Sequence, residues 1–297
     1  MTAVQPVPDP LNLSGRRLDG RYDIAEKIGE GGMAVVYRAT DRAGGDTVAI
    51  KVLLPGLIRD TTSMARLRLE ADVGTQLRHP NLCSILAFRE SPELTYIVMT
   101  LLDGEALFDR VARLGELPVD ATARIVRDVA AGLHAAHELG VIHRDLKPEN
   151  VMLVPDASGT ERAVLLDFGL AAVRRLTPAA RKLTQTGMVV GTPDFMSPEQ
   201  MCGKPLDRRS DIYSLAFIAY ELLTGRSPFP GKTLREMAVA RMRGDLIPIR
   251  LQRDDLRIPV EVEQVIARAL AVDPDRRYAT ATEFGEAFAR AAGVTAP

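Results

Sequence analysis

A few short stretches of the chain hold the side chains able to do chemistry. "HRDLKPEN" (143–150) gathers Asp145, Lys147 and Asn150, and "DFG" (167–169) adds Asp167. "VAIK" (48–51) ends on Lys51, and "GEGGMAVVYRAT" (29–40) supplies Gly29, Gly31 and Gly32. Phosphoryl transfer draws on these types: a cation on the phosphates, oxygen ligands for Mg²⁺ and a base beside the incoming hydroxyl, with positioning outweighing covalent chemistry. The glycine loop alone has a second reading. Gly29, Gly31 and Ala34 fit G-x-G-x-x-G/A, which opens a dinucleotide-binding fold and would imply hydride transfer.

The flanking elements separate the two chemistries. A dinucleotide site needs a strand, the loop and then a helix whose N-terminus meets the pyrophosphate. Here the loop runs into "AVVYRAT" and "TVAIKVLL", whose Val35, Val36, Tyr37, Val48, Ile50 and Val52 are strand formers. The glycines therefore join two strands, and a glycine hairpin can lay its N–H groups over phosphates because no side chain blocks the approach. Lys51 lies on the second strand, on the same face as Ala49 and Leu53. A helix follows over about Ser63 to Arg78, with Met64, Leu67, Ala71, Gly74 and Leu77 on one face and Glu70 in its middle. An unpaired carboxylate on an apolar face is costly, and Lys51 is the evident partner.

More strands follow at "CSILAFRE" and "LTYIVMTLL", and from about 103 the pattern turns helical. "VDATARIVRDVAAGLHAAHELG" starts beside Pro118 and stops at Gly140. "SDIYSLAFIAYELLTG" is apolar on most sides and reads as a buried helix, with further helical runs near 233–243, 260–271 and 281–292. The chain is expected to be α+β: a flexible, Pro-rich tail over 1–20, a small β-rich lobe with one helix over 21–100, a larger α-rich lobe over 101–291 and a short tail over 292–297, with a hinge near Thr100–Asp103.

Composition excludes other classes. The 297 residues carry a net charge of −1, which argues against a nucleic-acid partner. No apolar run approaches the roughly 20 residues needed to span a bilayer. Cys83 and Cys202 are the only cysteines and form no C-x-x-C pair, a usage that suits a reducing cytoplasm. Cys83 reads as a core residue of the small lobe. His134 and His137 stand one helical turn apart, but no third metal ligand is in view. His79 reads as a local cap or a packing residue, and His143 as packing beneath its loop.

The glycine hairpin, "VAIK", the helix Glu70, "HRDLKPEN", "DFG", "GTPDFMSPE" (191–199) and "SDIYSLAF" (210–217) occur in the order seen in protein kinases. The sequence resembles the bacterial Ser/Thr kinases of eukaryotic type over roughly residues 21 to 290. The resemblance implies the bilobal kinase fold, ATP in the cleft and Mg²⁺ (or Mn²⁺) as the metal. It implies that Lys51 holds the α- and β-phosphates and pairs with Glu70, that Asp145 orients the acceptor hydroxyl and takes its proton, and that Lys147 steadies the transferring phosphoryl. Asn150 and Asp167 would bind the metal. Ile28, Val36 and Ala49 above and Met152 below would sandwich the adenine, with backbone between Thr100 and Leu102 as its hydrogen-bonding edge and Met99 guarding the back.

Lys147 together with Thr192, in the segment that resembles a peptide-docking floor, resembles the Ser/Thr-specific pattern. Thr184 and Thr186 resemble activation-loop threonines that bacterial relatives autophosphorylate, and Arg144 would pair with the phosphate. Asp211 would tie down the catalytic loop through backbone N–H groups, and Glu199 with Arg277 would form a buried ion pair. Protein substrates with Ser or Thr acceptors are the implied partners, and association through the small lobes is known among related domains. A nucleotide-binding scaffold without catalysis is the rival reading. The complete set of Lys51, Glu70, Asp145, Lys147, Asn150 and Asp167 argues against it. Three positions depart from the family pattern: Ala34 for a third glycine, Thr100 for a common Glu and Ala216 for a frequent Gly. None belongs to the catalytic set.

Overall fold

Short β-forming runs separated by Gly and Asp turns assemble into a six-stranded antiparallel sheet. Its strands are β1 (Arg17–Leu18), β2 (Tyr22–Glu30), β3 (Ala34–Asp41), β4 (Thr47–Leu53), β5 (Ile85–Glu90) and β6 (Thr95–Thr100), in the order β1-β2-β3-β4-β6-β5. The computed structural model of the chain describes residues 9–32, 34–54, 61–91, 94–156, 159–167 and 195–294, apart from the side chains of 61–63, 65, 66, 69 and 70. Strand alternation divides the sheet's side chains between two cores. Val35, Tyr37, Val48, Ile50 and Tyr96 pack on one face. Ala34, Leu53, Ile85 and Ile97 pack on the other, against Leu67 of α1 (Thr61–Gln76). Leu67 and Ala71 are fully buried, which supports the apolar face read from the sequence.

Residues 9–20 are not a free tail. β1 pairs with β2, and Leu13 and Leu18 are buried in the first of these cores. Asp9 accepts a hydrogen bond from the Tyr37 hydroxyl, and Asp19 accepts one from Tyr96. The segment caps that face of the sheet, and its Pro-rich polar composition concealed two leucines with somewhere to go.

The larger lobe holds α2 (Leu107–Leu114), α3 (Val119–Glu138), α4 (Pro198–Met201), α5 (Arg209–Thr224), α6 (Leu234–Arg243), α7 (Ile249–Gln252), α8 (Val260–Ala269) and α9 (Ala281–Ala291). A small sheet, β7 (Glu105–Ala106), β8 (Val151–Pro155) and β9 (Glu161–Leu165), lies in the order β7-β8-β9. The longer helices match the periodic runs, whereas α2 and the small sheet were not read from the sequence. α5 is buried on nearly every side, as its all-round apolar composition requires. Arg277 donates two hydrogen bonds to Glu199 in a bidentate ion pair, at 2.7 and 2.8 Å, beside it. Arg277 spends its remaining donors on the carbonyls of Ala271, Arg209 and Val272, so the buried charge is fully hydrogen-bonded.

One joint between the lobes and one close passage of the chain flank the cleft. Behind it, Leu82 bridges Leu165, with Cys83 N–H donating to Leu165 at 2.8 Å and Leu165 N–H to Asn81 at 2.9 Å. Gly132 lets α3 approach this joint, since a Cβ there would stand 2.8 Å from the Asn81 carbonyl oxygen. Beside the hinge, a Cβ on Gly104 would meet the Leu153 carbonyl oxygen at 2.3 Å, so the chain can pass against β8 only as glycine.

Candidate active site

The upper wall of the cleft is built by register. Antiparallel pairing sets Gly29 opposite Val36, Val36 opposite Lys51 and Ala49 opposite Met99. The glycine hairpin closes with Gly31 N–H donating to the Ala34 carbonyl at 2.9 Å. Ala34 itself is a strand residue with its methyl buried against the second core of the small lobe. The alanine that replaces a third glycine is therefore a packing residue as well as part of the hairpin.

Lys51 sits at the back of this wall, and its Nζ lies 2.6 Å from Asp167 Oδ1. The two residues are 13% and 18% exposed, so the pair spans the lobes largely out of water. The sequence reading paired Lys51 with Glu70. Glu70 belongs to α1, but its side chain lies outside the described residues.

The lower wall is a loop held by its backbone. Asp211, at the start of α5, accepts from the N–H groups of His143 at 2.8 Å and Arg144 at 2.9 Å, and from His137 Nε2 at 2.7 Å. Burial opposes the charge on Asp211, but the bond from His137, with the backbone N–H groups, outweighs it and holds the carboxyl below the ordinary aspartate range. The sequence anticipated the two backbone bonds. It missed His137, which closes this network from α3.

His143 joins the loop to the strand end that carries Asp167. Its Nδ1 accepts from Asp145 N–H at 3.3 Å, so Nε2 carries the proton and donates to the Leu166 carbonyl at 3.0 Å. Leu166 N–H in turn donates to the Asn150 carbonyl at 2.8 Å. Arg144 and Asp167 both adopt left-handed backbone, at φ 66° and 61°. Such conformations cost about 1–3 kcal/mol in non-glycine residues and persist where surrounding bonds enforce them. Here those bonds come from Asp211 and His143.

These walls bring the polar side chains of the cleft together. Asn150 Nδ2 donates to the Asp145 carbonyl at 2.7 Å, and Lys147 Nζ lies 3.7 Å from Asp145 Oδ2. Asp145, Lys147, Asn150 and Asp167 line one cavity of about 560 Å³ with Lys51. Ile28, Gly29, Gly31, Gly32, Val36 and Ala49 form its roof, Met99, Thr100 and Leu102 its hinge edge, and Met152 its floor. Thr184, Thr186 and Thr192 lie outside the described residues.

Cys83 departs from the position expected of it. It lines the cavity instead of the small-lobe core, because the Leu82–Leu165 bridge draws it behind the cleft. Its Sγ donates to the Thr100 carbonyl at 3.5 Å, and burial, with the nearby charge of Asp167, pushes the thiol up to about 12. Glu30, Leu101, Glu149 and Leu166 also line the cavity. Their neighbours in sequence were the only signal for them.

A model of the protein kinase domain matches residues 22–288. Serine/threonine-protein kinase pkn3 of Myxococcus xanthus is 37% identical over 278 residues, covering 93% of this chain and 51% of that protein. Serine/threonine-protein kinase PknB of Mycobacterium leprae is 38% identical over 270 residues, covering 90% and 42%. The chain thus spans about half or less of the length of these curated relatives. The crystal structure of the Mycobacterium tuberculosis PknI kinase domain aligns with a TM-score of 0.72 at 28% identity, covering 94% of this chain and 98% of that one. A bilobal fold with this cleft, together with a match over most of its length, makes the chain a member of the protein kinase domain family.

Proposed function

We propose that the chain is the catalytic domain of an ATP- and Mg²⁺-dependent protein serine/threonine kinase that works in the cytoplasm. The observation that carries this is the meeting of Lys51, Asp167, Asn150 and Asp145 in one interlobe cavity beneath a glycine hairpin. A cavity of about 560 Å³ falls within the usual size of a small-molecule site.

The donor set suits a hard dication. Asp167 offers carboxylate oxygens, and Asn150 commits its amide nitrogen to Asp145 and keeps its carbonyl oxygen for a cation. Bound Mg²⁺ would neutralise charge on the β- and γ-phosphate oxygens. Lys51 would hold the α- and β-phosphates, with the hairpin N–H groups covering them. Asp145 would take the proton of a Ser or Thr hydroxyl as its oxygen bonds the γ-phosphorus and ADP leaves. Lys147, beside Asp145, would offset the charge on the transferring group. The apolar roof and Met152 would grip the adenine, and Thr192 would help to dock the acceptor.

Regulation follows from the same loop. Phosphate on Thr184 or Thr186 adds nearly two negative charges, and Arg144 is the catalytic-loop cation suited to a bidentate pair with it. Incubation with γ-labelled ATP and Mg²⁺, followed by phosphosite mapping, tests the reading. Label on Ser or Thr, with Thr184 or Thr186 among the sites, is the expected result. ATP binding without any transfer would leave only the nucleotide-binding scaffold.

A further inference from the structure

Gln200 makes more hydrogen bonds than its place in the fold requires. It is the third residue of α4 and closes a capping box with Ser197. Its Oε1 accepts from Ser197 N–H at 2.9 Å and from the Ser197 hydroxyl at 3.1 Å. That task uses only the oxygen, and a glutamate closes such a box equally well. The amide nitrogen reaches elsewhere: Nε2 donates to the Arg144 carbonyl at 2.8 Å. A backbone N–H can only donate and a carbonyl can only accept, so both ends of the Gln200 amide are oriented by their partners.

The peptide it grips carries the proposed base. Arg144 stands at φ 66°, with its N–H on Asp211 Oδ1. The next N–H, that of Asp145, donates to His143 Nδ1 at 3.3 Å. The Arg144–Asp145 peptide is thus held at its nitrogen by His143 and at its oxygen by Gln200. The plane of that peptide sets the direction in which Asp145 leaves the backbone.

We propose that Gln200 is a positioning residue for phosphoryl transfer: through the Arg144 carbonyl it locks the peptide that presents Asp145 and couples the segment 195–201 to the catalytic loop. The proposal rests on the kinase reading above. Only a side chain with an acceptor and a donor at this length serves both the box and the loop.

Gln200→Glu separates the two roles, because it keeps the capping acceptor, removes the donor and sets an oxygen against the Arg144 carbonyl. On the full chain, with γ-labelled ATP and a mixed Ser/Thr peptide library, kcat should fall about tenfold or more while the KM for ATP stays within about twofold. The melting temperature should stay within about 2 °C of wild type, since the box is intact. Gln200→Lys restores a donor and opens the box, so it should recover part of kcat and lower the melting temperature. Thr280→Ala, which removes the N-cap of α9, should lower the melting temperature alone. A Gln200→Glu protein with kcat within about twofold of wild type would overturn the proposal. So would loss of cooperative melting in that variant, which would make Gln200 a folding residue. An inactive wild type would count against the kinase reading instead.

Discussion

Replacing Asp211 by Asn removes one charge and leaves the shape nearly unchanged, yet it should disturb the catalytic loop. Asp211 serves three donors: His137 Nε2 and His143 N–H on Oδ2, and Arg144 N–H on Oδ1. An asparagine has one oxygen. With that oxygen at the Oδ2 place, the amide NH₂ meets Arg144 N–H. With it at the Oδ1 place, NH₂ meets His143 N–H, although His137 could change tautomer and accept. Either way one buried backbone N–H loses its partner, at about 1–3 kcal/mol. The surviving bonds lose their charge assistance, and relief of a buried charge offsets part of this. The net loss is about 2–4 kcal/mol, or roughly 3–6 °C in melting temperature for a chain of 297 residues. Because Arg144 is held at φ 66° by these bonds, the loop should relax, and kcat should drop about 10- to 100-fold. The Kd for ATP should change little, since the roof and Met152 are untouched. Calorimetric melting, nucleotide titration and a transfer assay on one preparation check all three. A variant that melts within about 1 °C of wild type and keeps its kcat would refute the reasoning.

Two further predictions follow from the packing around this loop. Burial opposes ionisation of Glu199, but the bonds from Arg277 and Ser210 hold its carboxyl below the ordinary glutamate value of 4.5, as the network around Asp211 does for its carboxyl. Unfolding returns both to ordinary values, so the stability they contribute is complete above those values and lost as pH falls below them. The urea midpoint should decline steeply below about pH 4, and Glu199→Gln should flatten that decline while lowering the midpoint near neutrality; an unchanged acid limb would contradict the assignment. Gly104→Ala places a methyl 2.3 Å from the Leu153 carbonyl oxygen, which no rotamer relieves. It should cost about 1–3 kcal/mol and weaken ATP binding several-fold by pushing the hinge off β8, as titration calorimetry would read.

The legible parts of the fold are those with strong local periodicity or strong local chemistry. The strands around the glycine loop, α3 and α5 follow from spacing alone. Asp145, Lys147, Asn150 and Asp167 stand out because their spacing is short and their types are expensive to place together. What escaped depends on partners distant in sequence. His137 was given no role, because no third metal ligand was in view and nothing local reveals that Asp211 waits across the α3–α5 contact. Cys83 looked like core because its neighbours are strand-like, whereas the bridge from Leu82 to Leu165 carries it to the cleft. Leu13 and Leu18 were hidden in a Pro-rich run, and β7, β8 and β9 are too short to show alternation. Gln200 carried no signal, because the donor it supplies is needed by a carbonyl far from it in the chain.

Asp145→Asn, assayed for ATP binding and for phosphoryl transfer side by side, tests the central claim most directly. Asp145 lines the same cavity as Lys51, beside Lys147 and Asn150. The account predicts an ATP Kd within a few-fold of wild type and a kcat reduced by about 100-fold or more, the scale of losing a positioned base. Transfer at the wild-type rate by Asp145→Asn would contradict it.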